Sequence, residues 1–416
     1  MTTPPVPLTR DRDFMKLWAA QAVSTFGARI TREGLPMTAV LTLGASPATL
    51  GVLAALSYGP AVFVGLFGGG FVDRRHRRPV LIATDLIRAA VLITVPIAAW
   101  MGWLSLWQVF AAAALVGAAS VLFDMADHAY LPALIGTDRL VDGNSKLSAT
   151  ESVAELGGPA LAGLLFQLLT APFAIAVNAV TYLVSALFLA GIRKVEPEPA
   201  PVAPQHWVAD LTQGFRVAWA EPRVRPLLVM TACNGLFGGG FAALYVLFAL
   251  RTLELSPAML GITVAFGGLG ALIGAGLAAP VARRLGAGPA ILIMALASAA
   301  SAMLIPLSPA APVLGMAMLI ASQLLGDSTS VIYEVLAASL RQTVLPQETL
   351  GRAAGAFKAA GGGTMLVGAL ALGALGSLIG VRETLFIAAA GLAVGPLIAL
   401  TSPALRRVKV IELDAD

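Results

Sequence analysis

Eleven side chains that are charged at neutral pH lie inside otherwise apolar stretches of this sequence, and their spacing limits what they can do. Arg29, Arg32 and Glu33 stand at i, i+3 and i+4, which places all three on one helical face, where Glu33 neutralises only one arginine. Asp85 and Arg88 repeat the i, i+3 spacing. Asp124, Asp127, Glu151, Glu155, Asp327 and Glu334 complete the set, so three arginines oppose eight carboxylates and five of the acids lack a permanent cation. At low dielectric an ionised carboxylate is costly, and such groups hold a proton, exchange it, or meet a positively charged guest. That chemistry suits proton coupling and the binding of cationic or amphipathic compounds. Several of these groups also have plainer readings. Asp327 has Ser328 as a hydrogen-bonding neighbour, Glu151 and Ser148 have capping-box spacing, and Asp127 and His128 fit an aqueous boundary. Asn234, Phe237 and Tyr245 add polar and aromatic contacts to the candidates, or simple packing.

The elements that carry these residues follow from composition. The chain is 58% hydrophobic and 12% charged, against about 25% charged in soluble domains. A chain of this kind is not covered for water, and its aliphatic mass excludes disordered and collagen-like classes. The lone Cys233 makes no intrachain disulfide and no zinc or redox motif.

Twelve apolar segments are long enough for a hydrocarbon core that takes roughly 20 helical residues. They run Phe14 to Leu41, Pro47 to Val72, Pro79 to Met101, Leu106 to Leu134, Leu147 to Leu169, Pro172 to Ile192, Pro226 to Leu250, Met259 to Val281, Pro289 to Leu307, Pro312 to Leu340, Ala353 to Ile379 and Thr384 to Thr401. With this alternation almost every Lys and Arg outside the spans falls on one side, and only Arg251 and Arg382 fall on the other. Basic loops stay cytoplasmic, so both termini are expected there, in a bacterial inner membrane. The net charge of +4 requires no nucleic acid. The expected domains are a tail over 1–13, a six-helix bundle over 14–192, a cytoplasmic linker over 193–225, a second bundle over 226–402 and a tail over 403–416. In the linker, Trp207, Leu211, Phe215 and Trp219 align at i, i+4, i+8 and i+12, a face suited to the membrane surface.

Between the second and third spans, Gly69-Gly70-Phe71-Val72-Asp73-Arg74-Arg75-His76-Arg77-Arg78 resembles the G-x-x-x-D-R-x-x-R-R loop of the major facilitator superfamily. His76 stands where many members carry Gly. The likeness extends over nearly the whole chain to the branch containing macrolide-efflux and enterobactin-exporter proteins. It is carried by Phe14-Met15-Lys16-Leu17-Trp18, Leu35-Pro36, Asp85-Leu86-Ile87-Arg88-Ala89, Tyr130-Leu131-Pro132-Ala133-Leu134, Arg341-Gln342 and the stretch from Leu345-Pro346 to Gly351-Arg352. The resemblance implies an all-α membrane protein, with twelve transmembrane helices in two pseudo-symmetric six-helix bundles and alternating access by rocking. It makes Gly69, Asp73, Arg74, Arg77, Arg78, Asp85 and Arg88 a cytoplasmic latch. Gly158-Pro159, with Gly163, resembles the antiporter signature of the superfamily, and Pro159 removes a backbone donor where a hinge would bend. A second copy of the latch is degenerate: it keeps Gly276, Arg283 and Arg284 but has Pro280 in place of Asp.

Spans one, four, seven and ten line the cavity in related folds. This favours Arg29, Arg32, Glu33, Asp124, Asp327 and Glu334, with Glu151, Glu155 and Asn234 as further candidates. Gly267-Gly268-Leu269-Gly270 lacks the Lys-Ser/Thr of a nucleotide-binding loop, which disfavours ATP-driven transport. No catalytic constellation or cofactor motif stands out. The expected function is a proton-coupled antiporter exporting small lipophilic or cationic compounds, its expected partners being the bilayer, protons and a small molecule, acting as a monomer without cofactor or metal. An exporter of an anionic siderophore or lysolipid, using Arg29 and Arg32, is the alternative, and a non-transporting scaffold is a third class.

Overall fold

The computed structural model describes residues 7–67, 71–72, 74–198 and 207–409. The first helices are α1 (Arg12–Leu41), α2 (Pro47–Phe67), α3 (Arg77–Trp100), α4 (Leu106–Ile135), α5 (Leu140–Leu169) and α6 (Ala171–Ala190). A surface helix, α7 (Trp207–Ala220), leads to α8 (Arg225–Leu247), α9 (Pro257–Leu285), α10 (Ala287–Ala302) and the single turn α11 (Leu304–Leu307). The chain closes with α12 (Pro312–Val344), α13 (Gln347–Ile379), α14 (Val381–Leu392), α15 (Val394–Ala399) and α16 (Pro403–Arg406).

Helix is the only regular structure that satisfies its own backbone inside lipid, and ten helical segments among the described residues are long and apolar enough to cross a membrane. The 30-residue α1 and the 33-residue α12 are longer than most of these. They carry Arg29, Arg32, Glu33, Asp327 and Glu334, and those charges lower their apolarity. With them the described residues of this all-α membrane protein hold twelve long helical segments, the last formed by α14 and α15 together.

Local chemistry sets the helix ends. The Asp11 carboxylate accepts from the amides of Asp13 and Phe14 at 3.2 and 3.3 Å and starts α1. Gly286 and Gly380 adopt φ of 82° and 106°, a region open to glycine, and so end α9 and α13 and let the next helix begin at once. Prolines inside α1, α2, α3, α4, α5 and α9 leave each helix continuous.

By contact, the described residues of Met1–Gly44 and Phe63–Gln205 form one compact unit, and those of Ala45–Val62 and His206–Asp416 form another. Most of α2 therefore groups with the second unit. Its Gly51 lies against the Ala369 carbonyl and Gly373 of α13, where no side chain fits.

One expectation is corrected: α5 begins at Leu140, seven residues before the expected span, so Ser148 and Glu151 lie inside the helix and form no capping box. The linker helix α7 docks on α13 through its small side chains. Its Gly214 sits on the Arg352 carbonyl of α13, its Ala218 is buried, and Asp210 bonds Arg352 at 2.8 Å. Trp219 is 54% exposed. The small side chains permit a closer approach than the aromatic face does, and the helix docks through them.

Candidate functional site

In the first unit, α1 and α5 bring Arg29, Arg32, Glu33 and Glu155 into one cluster. Arg29 pairs with Glu155, while Arg32 stands 3.9 Å from Glu33 and 4.0 Å from Glu155. Glu155 thus faces both arginines, a cross-helix relationship that spacing along α1 does not contain. The Gly-Pro stretch helps to build it. A Cβ on Gly158 would collide with the stem of Arg29, so glycine there lets the guanidinium reach across to α5 one turn from Glu155. Helix α5 runs unbroken through Pro159, with Gly158, Pro159 and Gly163 all buried. Glu151, one turn earlier, is exposed.

Asp85 and Arg88 are almost completely buried and bond each other at 2.5 Å. The Arg88 guanidinium lies between the rings of Phe123 and Tyr182, 4.3 and 4.2 Å from their centroids, and reaches Ser120 at 3.4 Å. The pair is thus enclosed by side chains of α4 and α6. Asp124 is exposed, and its main-chain carbonyl accepts from His128 Nδ1 at 2.7 Å. Asp127 is half-buried, with Oδ1 enclosed.

Of the expected latch, Gly69 and Asp73 lie outside the described residues. Arg74 is exposed. Arg77 and Arg78 have partners that sequence reading missed. The Glu196 carboxylate accepts from the amides of both, at 2.8 and 3.2 Å, and pairs with the Arg77 guanidinium at 3.3 Å. It caps the start of α3, where four amides lack helical acceptors. Arg78 in turn donates to the carbonyls of Leu189 and Ala190 at the end of α6. The only signal for Glu196 was an acid in a Pro-rich linker, which spacing does not connect to a loop more than a hundred residues earlier.

In the second unit, α9 and α12 pack through a glycine seam. Gly270 lies on the Leu324 carbonyl and Gly274 on the Ser328 carbonyl. Asp327 belongs to that seam, its carboxylate resting where a Cβ on Gly267 would be. It is the sixteenth of the 33 residues of α12, within about 2 Å of the helix midpoint at about 1.5 Å per residue. Glu334 is two turns further on, exposed, and accepts from Ser330 at 3.4 Å. Ser330, Asn234, Ser298 and Tyr333 line a cavity of about 20 Å³, enough for one water. Asn234 and the partner of Glu334 therefore share a site. Phe237 packs against Gly391, and Tyr245 meets Thr263 at 3.5 Å.

The sequence pattern of the family described as "Transmembrane secretion effector" matches residues 2–415. Among characterised relatives, the multidrug efflux pump Tap of Mycobacterium tuberculosis is 28% identical over 390 residues, 89% of this chain and 88% of Tap. Macrolide efflux protein A of Streptococcus pyogenes is 23% identical over 268 residues, 63% of this chain and 64% of that protein. The matched region covers 54% of the MFS-type transporter YvqJ of Bacillus subtilis, at 22% identity over 53% of this chain. The fold is similar to that of the nucleoside transporter NupG, with a TM-score of 0.74 and 16% identity over 95% of this chain and 98% of that structure. A bacterial homologue of the iron transporter ferroportin gives 0.73 and 14%, over 94% and 98%.

Proposed function

The chain belongs to the transmembrane secretion effector family of the major facilitator superfamily, and from that premise we propose that it is a proton-coupled antiporter exporting small lipophilic or cationic compounds. Residues 14–192 and 226–402 are the two six-helix bundles of this reading, with both termini cytoplasmic, and they rock about a central site. Efflux relatives support the direction of transport. One observation carries the coupling: Asp327 stands at the midpoint of a long span, its carboxylate in the glycine seam against Gly267. A carboxylate at that depth is costly when charged, and a proton or a cationic guest relieves the cost. Exchange of one for the other at a single group is antiport. Glu334, with Ser330 and Asn234 nearby, is the second candidate on the same helix. The paired set Arg29, Arg32 and Glu155 serves the first bundle by orienting α1 on α5.

The Arg32 side chain is 57% exposed, which supports the alternative of an anionic substrate group at that position. Purified protein in liposomes, given an imposed proton gradient and a panel of cationic and anionic compounds, tests both readings. Under the first, cationic compounds drive proton movement in the wild type and Asp327→Asn abolishes it. Competition by anionic compounds alone, with Asp327→Asn unaffected, would move the assignment to the arginine cluster.

A further inference from the structure

Where α3 begins, the first unit holds a cavity of about 530 Å³ whose two ends differ in chemistry. Its floor is a single stripe of α3, Pro79, Ile82, Ala83 and Leu86, at i, i+3, i+4 and i+7. That stripe runs about 10 Å along the helix axis, and Leu86 is 46% exposed at its far end. The mouth is basic, formed by His76, Arg78, Arg193 and Lys194. Arg78 and Lys194 donate to main-chain carbonyls, which fixes their position without cancelling their charge. Among the described residues, Glu196 is the one carboxylate on the wall. Its charge is met by Arg77 and by the first amides of α3. The mouth therefore keeps a net positive charge.

Cations at one end and an exposed aliphatic stripe leading into the span at the other describe a receptor for an anionic amphiphile. A free anion has no use for the stripe, and a zwitterionic lipid brings a cation against Arg193. We infer that this cavity binds an anionic phospholipid of the surrounding bilayer, with the phosphodiester at Arg193 and His76 and an acyl chain along Ile82 and Leu86. Basic pockets between helices at the membrane surface hold lipid headgroups through the same two contributions. Because the lipid would touch α3, the end of α6 and the linker at Glu196 together, it would hold those three segments in one arrangement. The inference rests on the membrane fold and is independent of what the protein transports.

Native mass spectrometry of the full-length protein in detergent tests it, by titrating phosphatidylglycerol, phosphatidylcholine with the same acyl chains, and glycerol 3-phosphate as competitor. Phosphatidylglycerol is expected to bind more tightly than phosphatidylcholine, and glycerol 3-phosphate to displace neither. Arg193→Gln is expected to weaken phosphatidylglycerol binding about fivefold, with recovery in Arg193→Lys. Leu86→Asn, which leaves every cation in place, should weaken it as well. Arg406→Gln, removing a cation elsewhere, should leave it unchanged. Equal retention of the two lipids, equal effects of Arg193→Gln and Arg406→Gln, or displacement by glycerol 3-phosphate would each overturn the inference.

Discussion

The stem of Arg29 lies directly on Gly158, so the glycine of the Gly-Pro stretch is the floor over which the α1 arginine reaches Glu155 of α5. This gives the stretch a task that does not depend on bending, since α5 stays helical through Pro159.

A side chain at position 158 must therefore displace Arg29. Gly158→Val is expected to part Arg29 from Glu155 and to lower transport in liposomes at least about tenfold, with an overpacking cost of about 1–3 kcal/mol. Gly157→Val is the control, because a Cβ there meets only Phe26, at 3.8 Å. Equal activity in the two variants would remove Gly158 from the site.

Gly267 stands in the same relation to Asp327. Gly267→Val should push the carboxylate out of the α9–α12 seam and reduce substrate-driven proton movement as Asp327→Asn does. Gly276→Val lies on the same helix with no neighbouring atom within 4 Å of its Cβ, and should transport normally. A pH-sensitive dye inside the liposomes reads all three.

Glu196 holds the start of α3 through two amides and Arg77. Loss of a cap of this kind costs about 1–2 kcal/mol. Glu196→Ala is expected to lower the unfolding temperature in detergent by several degrees, more than Glu198→Ala on the exposed side of the same segment. A thermal-shift measurement on both variants decides it.

The turn between α7 and α8 should be sensitive to pH. A side-chain hydrogen bond from Arg223, 2.7 Å from Glu221, holds the Glu221 carboxyl below its ordinary value of 4.5, against the opposing effect of burial. A lowered folded-state value means that the contribution is complete above the unfolded value and is lost as pH falls through the folded one. Protection of the Arg223 amide, which also donates to Glu221, is thus expected to be constant above the ordinary carboxyl value of 4.5 and to fall as pH drops below it through the lowered folded-state value. In Glu221→Gln it should be low throughout. Hydrogen exchange over residues 221–225, corrected for intrinsic rates, provides the measurement.

Much of this protein was readable in one dimension. Span lengths, the scarcity of charge and the loop motif fixed the fold class, because lipid leaves the backbone few choices and a helix hides its amides with its own residues. The positions of ionisable groups within spans were equally plain, and the i, i+3 pairing of Asp85 with Arg88 is local enough for spacing to predict.

Partnerships across helices were not readable. Glu155 with Arg29, Gly267 with Asp327, Glu196 with the start of α3 and Gly214 with Arg352 each join residues from separate elements. Such contacts depend on which helix faces meet and how closely. That is decided by where small residues permit backbone approach, and periodicity along a single helix carries no record of its neighbour. The sequence by itself determined a helical membrane protein with too many acids in its spans. Only the tertiary structure decided which acids share a cation, since charge pairing is a matter of distance in space.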